Sequence, residues 1–209
     1  MENKIESDVD KINISYKPNF ISKGTSDRYF KILNEEVQYN SEEESKIEIF
    51  GKKISIPRKQ VGYGDEGTYY SFSGVKVIAK SWDENDNVCI MLKDVKKRVE
   101  KFTGLTFNFV LINRYENGDQ YIGYHRDDEK ELGSEPNIVG VSFGAEREIY
   151  FKPHKFIPHK MKDPTKLKLE HGSVFVMHHP TNVHWKHSIP KKSTIKTPRI
   201  SLTFRNLII

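Results

Sequence analysis

The sequence predicts one mainly-β domain of the α+β class, an antiparallel sandwich or jelly roll preceded by a helical, turn-rich half. Three observations carry this reading. The 209 residues suit a single domain and are enough to bury a full core. From Thr106 onward, short β-prone runs are separated by turn residues, giving strand candidates over 106–115, 138–143, 147–152, 166–170, 173–178 and 198–207. Before that point, helical spacing is confined to two segments.

Taken in order, residues 1–25 are polar, with Lys17-Pro18 and Gly24, and read as a frayed arm. Ser26 can cap a short helix whose apolar positions are Tyr29, Phe30, Leu33 and Val37. Glu42-Glu43-Glu44 marks a turn. Ile47-Glu48-Ile49-Phe50-Gly51 alternates briefly, as a strand ending at Gly51 does. Residues 54–74 are rich in glycine and aromatics and read as turns. Ser81-Trp82-Asp83-Glu84 has the form of a capping box. Val88, Met91, Leu92, Val95, Val99 and Phe102 follow at helical spacing, and Gly104 suits the stop. There is no internal repeat and no low-complexity tract.

Composition narrows the class. Hydrophobic residues make up 36% and charged residues 30%, and no apolar run reaches the length of a membrane span. The first residues are acidic, unlike a secretory signal. A single cysteine, Cys89, leaves no internal disulfide and no thiolate metal site, which points to a reducing, intracellular compartment. The formal charge of +5 is unevenly spread. Lys152, Lys155, Lys160, Lys162, Lys166 and Lys168 face a single Asp163, and a second basic stretch runs from Lys186 through Lys191, Lys192 and Lys196. Such stretches are either solvated loops or phosphate-binding surface.

Chemistry enters at His125-Arg126-Asp127. On an extended segment alternate side chains share a face, so His125 and Asp127 can address one ion. A third ligand must come from a distant strand, and His154, His159, His171, His178, His179, His184 and His187 are all candidates. Two histidines and a carboxylate form the facial triad of non-haem iron oxygenases, although zinc hydrolases use the same set. The segment 199–205 separates the two. Arg199, Ser201, Thr203 and Arg205 fall on one face, and Ile200, Leu202 and Phe204 on the other. A strand face with two arginines, two hydroxyls and no acid suits a dicarboxylate, because guanidinium grips carboxylate through a bidentate fork. It would hold 2-oxoglutarate, with Asn113 and Tyr115 offering further hydrogen bonds.

Linked motifs then carry a resemblance. In order they are Phe50-Gly51-Lys52, Pro57-Arg58-Lys59-Gln60, Tyr63-Gly64-Asp65, Ser71-Phe72-Ser73-Gly74, the segment 107–115, His125-Arg126-Asp127-Asp128-Glu129, Val141-Ser142-Phe143-Gly144, the segment 179–188 and the segment 198–205. With these the chain resembles the AlkB family of iron(II)- and 2-oxoglutarate-dependent dealkylases, most closely the eukaryotic branch that repairs duplex DNA. The resemblance covers residues 46–209, and residues 1–45 match nothing in it. It implies a double-stranded β-helix (jelly-roll) core with N-terminal helices, and a nucleotide-recognition lid over 46–80. It makes His187 the third iron ligand and sets Asn113, Tyr115, Arg199, Thr203 and Arg205 around 2-oxoglutarate. Tyr70, Ser71 and Phe72 fall in the lid, and Asp128 matches a residue that contacts the damaged base. Read alone, Tyr70 and Phe72 are core aromatics. Phe50, with Gly51 and Lys52, is either core or a wedge that fills the gap left by an extruded base.

The implied activity is oxidative demethylation of 1-methyladenine and 3-methylcytosine in DNA, using Fe(II), 2-oxoglutarate and dioxygen and releasing formaldehyde, succinate and CO2. The expected partner is alkylated duplex DNA, bound by a monomer in the nucleus, with no membrane involved. Competing readings are the same chemistry on single-stranded DNA or RNA, in the nucleus or the cytoplasm, and a non-catalytic nucleic-acid-binding module. The chain departs from the duplex-repair pattern at Ser193 and Thr194, where the relatives carry basic residues.

Overall fold

A strand whose alternate residues are wholly apolar must bury one face, and Ile200, Leu202 and Phe204 are indeed fully buried. In the computed structural model, which describes residues 3–5, 12–49, 51–72, 75–154 and 165–208, they form the centre of the fold. In chain order the elements begin with β1 (Asn3–Ile5), β2 (Ile14–Lys17) and α1 (Lys23–Glu35). Two hairpins and their connections follow: β3 (Lys46–Ile49), β4 (Lys52–Ser55), β5 (Lys59–Gly64), β6 (Tyr69–Phe72), β7 (Val75–Ile78) and β8 (Lys80–Ser81). Next come α2 (Asn87–Thr103), β9 (Phe109–Tyr115), β10 (Ile122–His125), β11 (Ile138–Gly144), β12 (Arg147–Pro153) and β13 (Thr165–Leu169). The chain ends with β14 (Ser173–Met177), α3 (Thr181–His184), β15 (Trp185–Ile189) and β16 (Arg199–Arg205).

These strands make a major sheet in the order β1-β2-β14-β11-β16-β9-β5-β8 and a minor sheet in the order β10-β15-β12-β13. One face of the major sheet packs under α1 and α2. Ile200, Leu202, Phe204, Val139, Val141, Val110 and Ile112 join Leu33, Leu92, Val95 and Val99 there in one apolar core. The other face of the same strands turns toward the minor sheet and presents Arg199, Ser201, Arg205, Asn113 and Ser142 to a cavity. The sandwich predicted from sequence is therefore present, with a pocket between its sheets. The two short hairpins, β3-β4 and β6-β7, pair only within themselves.

Three expectations need correction. The segment read as a frayed arm is structural: β2 pairs with β14 from Val174↔Lys17 to Met177↔Ile14, and Ile12, Ile14 and Tyr16 are buried against Phe151 and Trp185. Its period-2 pattern is short and diluted by polar neighbours, which hid it. Ser26 does not cap α1, which begins at Lys23 after Ser22; Ser26 is buried and donates to Ile21 O at 3.2 Å. The cap of α2 is Asp86, whose carboxylate accepts from the Cys89 N–H at 2.7 Å, not the Ser81 box. Gly104 does close α2 in the left-handed region, with φ 71°.

Residues 54–74 contain strands as well as turns. Gly62 is there for close packing: a Cβ on it would lie 2.8 Å from the Phe109 ring of neighbouring β9. Among the described residues, no helix is long and apolar enough to cross a membrane.

Candidate active site

Antiparallel pairing of β10 with β15 sets His125 directly opposite His187, with ring centroids 4.2 Å apart. Asp127 follows two residues beyond the end of β10. Its Oδ1 lies 4.0 Å from His125 Nε2 and its Oδ2 lies 3.7 Å from His187 Nε2. One ligand atom from each residue falls within 4.8 Å of the others, so a single ion can reach all three. The residues alone left the third ligand open among seven histidines, and the pairing register selects His187. His178 is taken up by Ser15 at 2.9 Å and His171 by Asp27 at 3.1 Å. His159 lies outside the described residues.

Local bonds fix the carboxylate. The Asp127 N–H donates to Asn182 Oδ1 at 3.0 Å, and the Asn182 amide donates back to the Asp127 carbonyl. Arg205 Nη2 donates to Asp127 Oδ1 at 3.2 Å, and the Tyr70 hydroxyl reaches the same oxygen at 3.3 Å. Burial opposes the charge of Asp127, but Arg205, His187 and His125 outweigh it and hold the acid well below the usual carboxylate range. Burial, followed by the nearby His125, pushes His187 down to about 3, and burial also lowers His125. Both imidazoles are therefore neutral, the form that ligates a metal. His125 Nδ1 lies 2.9 Å from the Gly123 carbonyl, which can only accept. The proton thus sits on Nδ1, and Nε2 keeps its lone pair for the ion.

The polar face of β16 runs past this triad. Arg205 lies over the Tyr70 ring at 4.4 Å. Burial disfavours its charge, yet Tyr70, Asp127 and Glu129 around it raise its pKa above the ordinary value. Arg199, 3% exposed, donates to Ser142 Oγ at 2.9 Å and lies over the Tyr115 ring at 5.6 Å. Among the described residues it has no carboxylate partner, and its Nε has no hydrogen-bond partner. Burial pushes its pKa down to about 10. A buried cation without an anion is costly, so the site fits a ligand that brings a carboxylate to Arg199. Asn113 accepts from Arg58 Nε at 2.9 Å, and Thr203 lines the cavity between the two arginines. The cavity measures about 1180 Å³.

The 2OG-Fe(II) oxygenase superfamily profile matches residues 13–205, nearly the whole chain. The chain belongs to the 2OG-Fe(II) oxygenase superfamily. The site of this oxygenase accordingly takes Fe(II), 2-oxoglutarate and dioxygen, with His125, Asp127 and His187 at the metal. The chain is 42% identical over 191 residues to the DNA oxidative demethylase ALKBH2 of Homo sapiens, covering 90% of this chain and 70% of that one. It is 44% identical over 190 residues to the Bos taurus protein of the same name, 89% of this chain and 66% of that one. The Homo sapiens alpha-ketoglutarate-dependent dioxygenase alkB homolog 3 is 32% identical over 155 residues, 72% of this chain and 52% of that one. The chain thus spans about two thirds of the length of the two ALKBH2 relatives and about half that of the alkB homolog 3 relative. These relatives place it among AlkB-type dioxygenases. A solved structure titled "The structure of OsALKBH1" shares the fold with a TM-score of 0.58 at 15% identity, covering 92% of this chain and 97% of that one.

The structure places the remaining predicted residues unevenly. Tyr70 is 2% exposed and packs on Phe109 at 5.9 Å between centroids, as a core aromatic does, while its hydroxyl donates to Glu129 at 2.5 Å and it lines the cavity. Ser71 and Asp128 line the cavity, Asp128 exposed and bonded to Arg126. Gly51, at φ 72°, makes the turn between β3 and β4. Phe50 and the side chains of Lys52 and Phe72 lie outside the described residues, as do Lys155, Lys160 and Lys162.

Sequence reasoning singled out neither Arg58, Asn182 nor Glu129 for a role. Asn182 and Glu129 stand beside triad motifs but carry no periodic signal. Glu129 is pushed up to about 7 by burial and by Asp127.

Proposed function

We propose that this oxygenase demethylates alkylated bases in DNA, with 1-methyladenine and 3-methylcytosine as substrates and a duplex as the preferred strand state. One observation carries the reading: a buried His-Asp-His triad stands beside an acid-free arginine, Arg199, at the floor of a cavity wide enough for a base. The relatives named DNA oxidative demethylase supply the substrate class.

Bound Fe(II) and 2-oxoglutarate supply, with dioxygen, the oxidation of an N-methyl group to a hydroxymethyl group, one oxygen atom passing to succinate as CO2 leaves. The chain does the rest. Arg199 binds the distal carboxylate of 2-oxoglutarate, with Tyr115 and Ser142 holding the guanidinium in place. Arg205, Thr203 and Asn113 face the end of the co-substrate nearer the triad. Arg205 keeps Asp127 ionised, and Asn182 keeps its backbone fixed. Tyr70, Ser71 and Asp128 line the cavity that receives an extruded base. The hydroxymethyl adduct then loses formaldehyde and leaves the unmodified base.

We further propose that the protein works as a monomer in the nucleus, and that Phe50, followed by Gly51 and Lys52, fills the gap in the stack. The test is formaldehyde release from methylated duplex DNA, single-stranded DNA and RNA. Release from DNA that requires 2-oxoglutarate supports the reading, and none from any substrate overturns it. Phe50→Ala should keep single-strand activity and lose duplex activity with an unchanged melting temperature. Equal loss on both strand states would mean that Phe50 is a core residue, at roughly 3–5 kcal/mol of stability.

A further inference from the structure

One side of the cavity opening carries an arrangement that the reaction itself does not use. Tyr121, just before β10, and Tyr124, within it, both line the cavity and are about one-third exposed. Each holds a lysine over its ring: Lys191 lies 4.9 Å from the Tyr121 centroid and Lys152 lies 4.1 Å from the Tyr124 centroid. The two lysines come from separate elements. Lys152 is near the end of β12, and Lys191 is in the loop after β15.

That loop is tied down. Lys192 N–H donates to Gly118 O at 2.7 Å, and Arg147 donates to Pro190 O at 2.6 Å. Gly118 permits the close approach, since a Cβ there would lie 1.7 Å from Lys192 O. Lys152 also stands in direct register with Lys186 across the β12–β15 ladder. Like charges directly opposite each other destabilise a sheet unless an anion lies between or beside them.

The contrast with the rest of the sheet is informative. On β13 and in the loop after β15, three lysines are neutralised: Lys168 by Glu146 at 2.5 Å, Lys166 by Glu148 at 3.3 Å, and Lys192 by Glu148 at 3.7 Å. Among the described residues, Lys152, Lys186 and Lys191 have no carboxylate within salt-bridge distance. Of these lysines, the ones without an acid are therefore those grouped around Tyr121 and Tyr124, and ring contacts fix two of them in place.

We propose that Tyr121, Tyr124, Lys152, Lys186 and Lys191 form a rim that binds the backbone phosphates on either side of the extruded nucleotide. The inference rests on the nucleic-acid reading of the cavity and deepens it. Pulling one nucleotide into the pocket draws its two flanking phosphates to the opening. Tyr121 and Tyr124 lie three residues apart, so at most about 11 Å of extended chain separates them, a reach that one nucleotide's two phosphates can span. The tyrosine hydroxyls and ammonium groups are all donors that a phosphate accepts. Preformed cation–ring pairs also leave less side-chain freedom to lose on binding.

The test uses the Fe(II)- and 2-oxoglutarate-loaded protein without dioxygen, and a single-stranded oligonucleotide carrying one 3-methylcytosine. Affinity is measured against salt for the wild type, Lys152→Gln, Lys191→Gln and, as the off-rim comparison, Lys168→Gln. Each lost phosphate contact should reduce the slope of log affinity on log salt by about 0.7 for a single strand. We expect that reduction for Lys152→Gln and for Lys191→Gln and none for Lys168→Gln. With dioxygen restored, the oligonucleotide KM should rise for the two rim variants while kcat and the 2-oxoglutarate KM stay unchanged. Wild-type slopes in both rim variants, or an equal loss in Lys168→Gln, would overturn the rim. A wild-type protein that binds the oligonucleotide but releases no formaldehyde would instead overturn the demethylase reading, and the slopes would still judge the rim.

Discussion

Arg199 and Arg205 share one face of one strand, yet their surroundings are opposite. Arg205 reaches Asp127 at 3.2 Å and is held charged by that acid and its neighbours. Arg199 is as deeply buried, but its contacts are a hydroxyl and a ring, and burial lowers its pKa to about 10. A buried guanidinium in a completed ion pair belongs to the protein's own architecture. One left without an acid is a site that waits for an anion. We therefore propose that Arg199 takes the distal carboxylate of the co-substrate, while Arg205 holds Asp127 and faces the end nearer the triad.

The largest way to break this contrast is to remove Asp127. Asp127→Ala should abolish iron binding and turnover and should also lower the melting temperature, because Arg205 then becomes a second uncompensated cation; losing one partner of a buried pair costs roughly 3–5 kcal/mol. His187→Ala should lose iron and activity as completely while keeping the Arg205–Asp127 pair and most of the stability. His184→Ala should keep its iron. Iron content, formaldehyde release and thermal melts separate these outcomes, and a His184 variant without iron beside a His187 variant with it would reverse the ligand assignment.

A smaller effect tests the support of Asp127 rather than its charge. Asn182 holds the Asp127 backbone through both ends of its amide, Oδ1 accepting from the Asp127 N–H and Nδ2 donating to its carbonyl. Asn182→Ala should weaken iron affinity by about 10–100-fold, the usual loss when a group behind a ligand is removed. Competition against a chelator measures it, and wild-type affinity would show that Arg205 and Tyr70 suffice.

The smallest effect is in pH. The folded pKa of His187 is about 3, below its ordinary 6.5, so between those values the unfolded chain binds the proton and the folded chain does not. Stability of the iron-free protein should therefore fall as pH drops from 6.5 toward 3. The depressed Asp127 acts in the same direction below its ordinary 3.8. His187→Ala should flatten the upper part of that dependence. An iron-free protein equally stable at pH 7 and pH 5 would show that the ring is not held neutral.

Much of this was legible where periodicity and chemistry coincide. Strict alternation over 199–205 gave both the core face and the arginine face, and β11, β12, β13 and β14 lie within a residue or so of their expected positions. The first two iron ligands were legible because His-x-Asp on an extended segment needs no partner strand to share a face. The third was not legible from residue pattern alone and was named only through the resemblance; the β10–β15 register is what sets His187 apart from its neighbours. β2 was missed since Ile14 and Tyr16 are too few to outweigh polar surroundings, and β5 since Gly62 and Gly64 mimic turns while serving close packing. Asn182 was illegible because its role is to hold a backbone far away in sequence.

The difference between the two arginines is tested most directly by titrating 2-oxoglutarate and 2-oxobutyrate, which lacks the distal carboxylate, into metal-loaded protein without dioxygen. Wild type should strongly prefer 2-oxoglutarate. Arg199→Met should lose roughly 3–5 kcal/mol of 2-oxoglutarate affinity, down to the level of 2-oxobutyrate. Affinity for 2-oxobutyrate should not change, and the iron-free melting temperature should not fall. An Arg199→Met protein that still prefers 2-oxoglutarate as strongly as wild type would contradict the account.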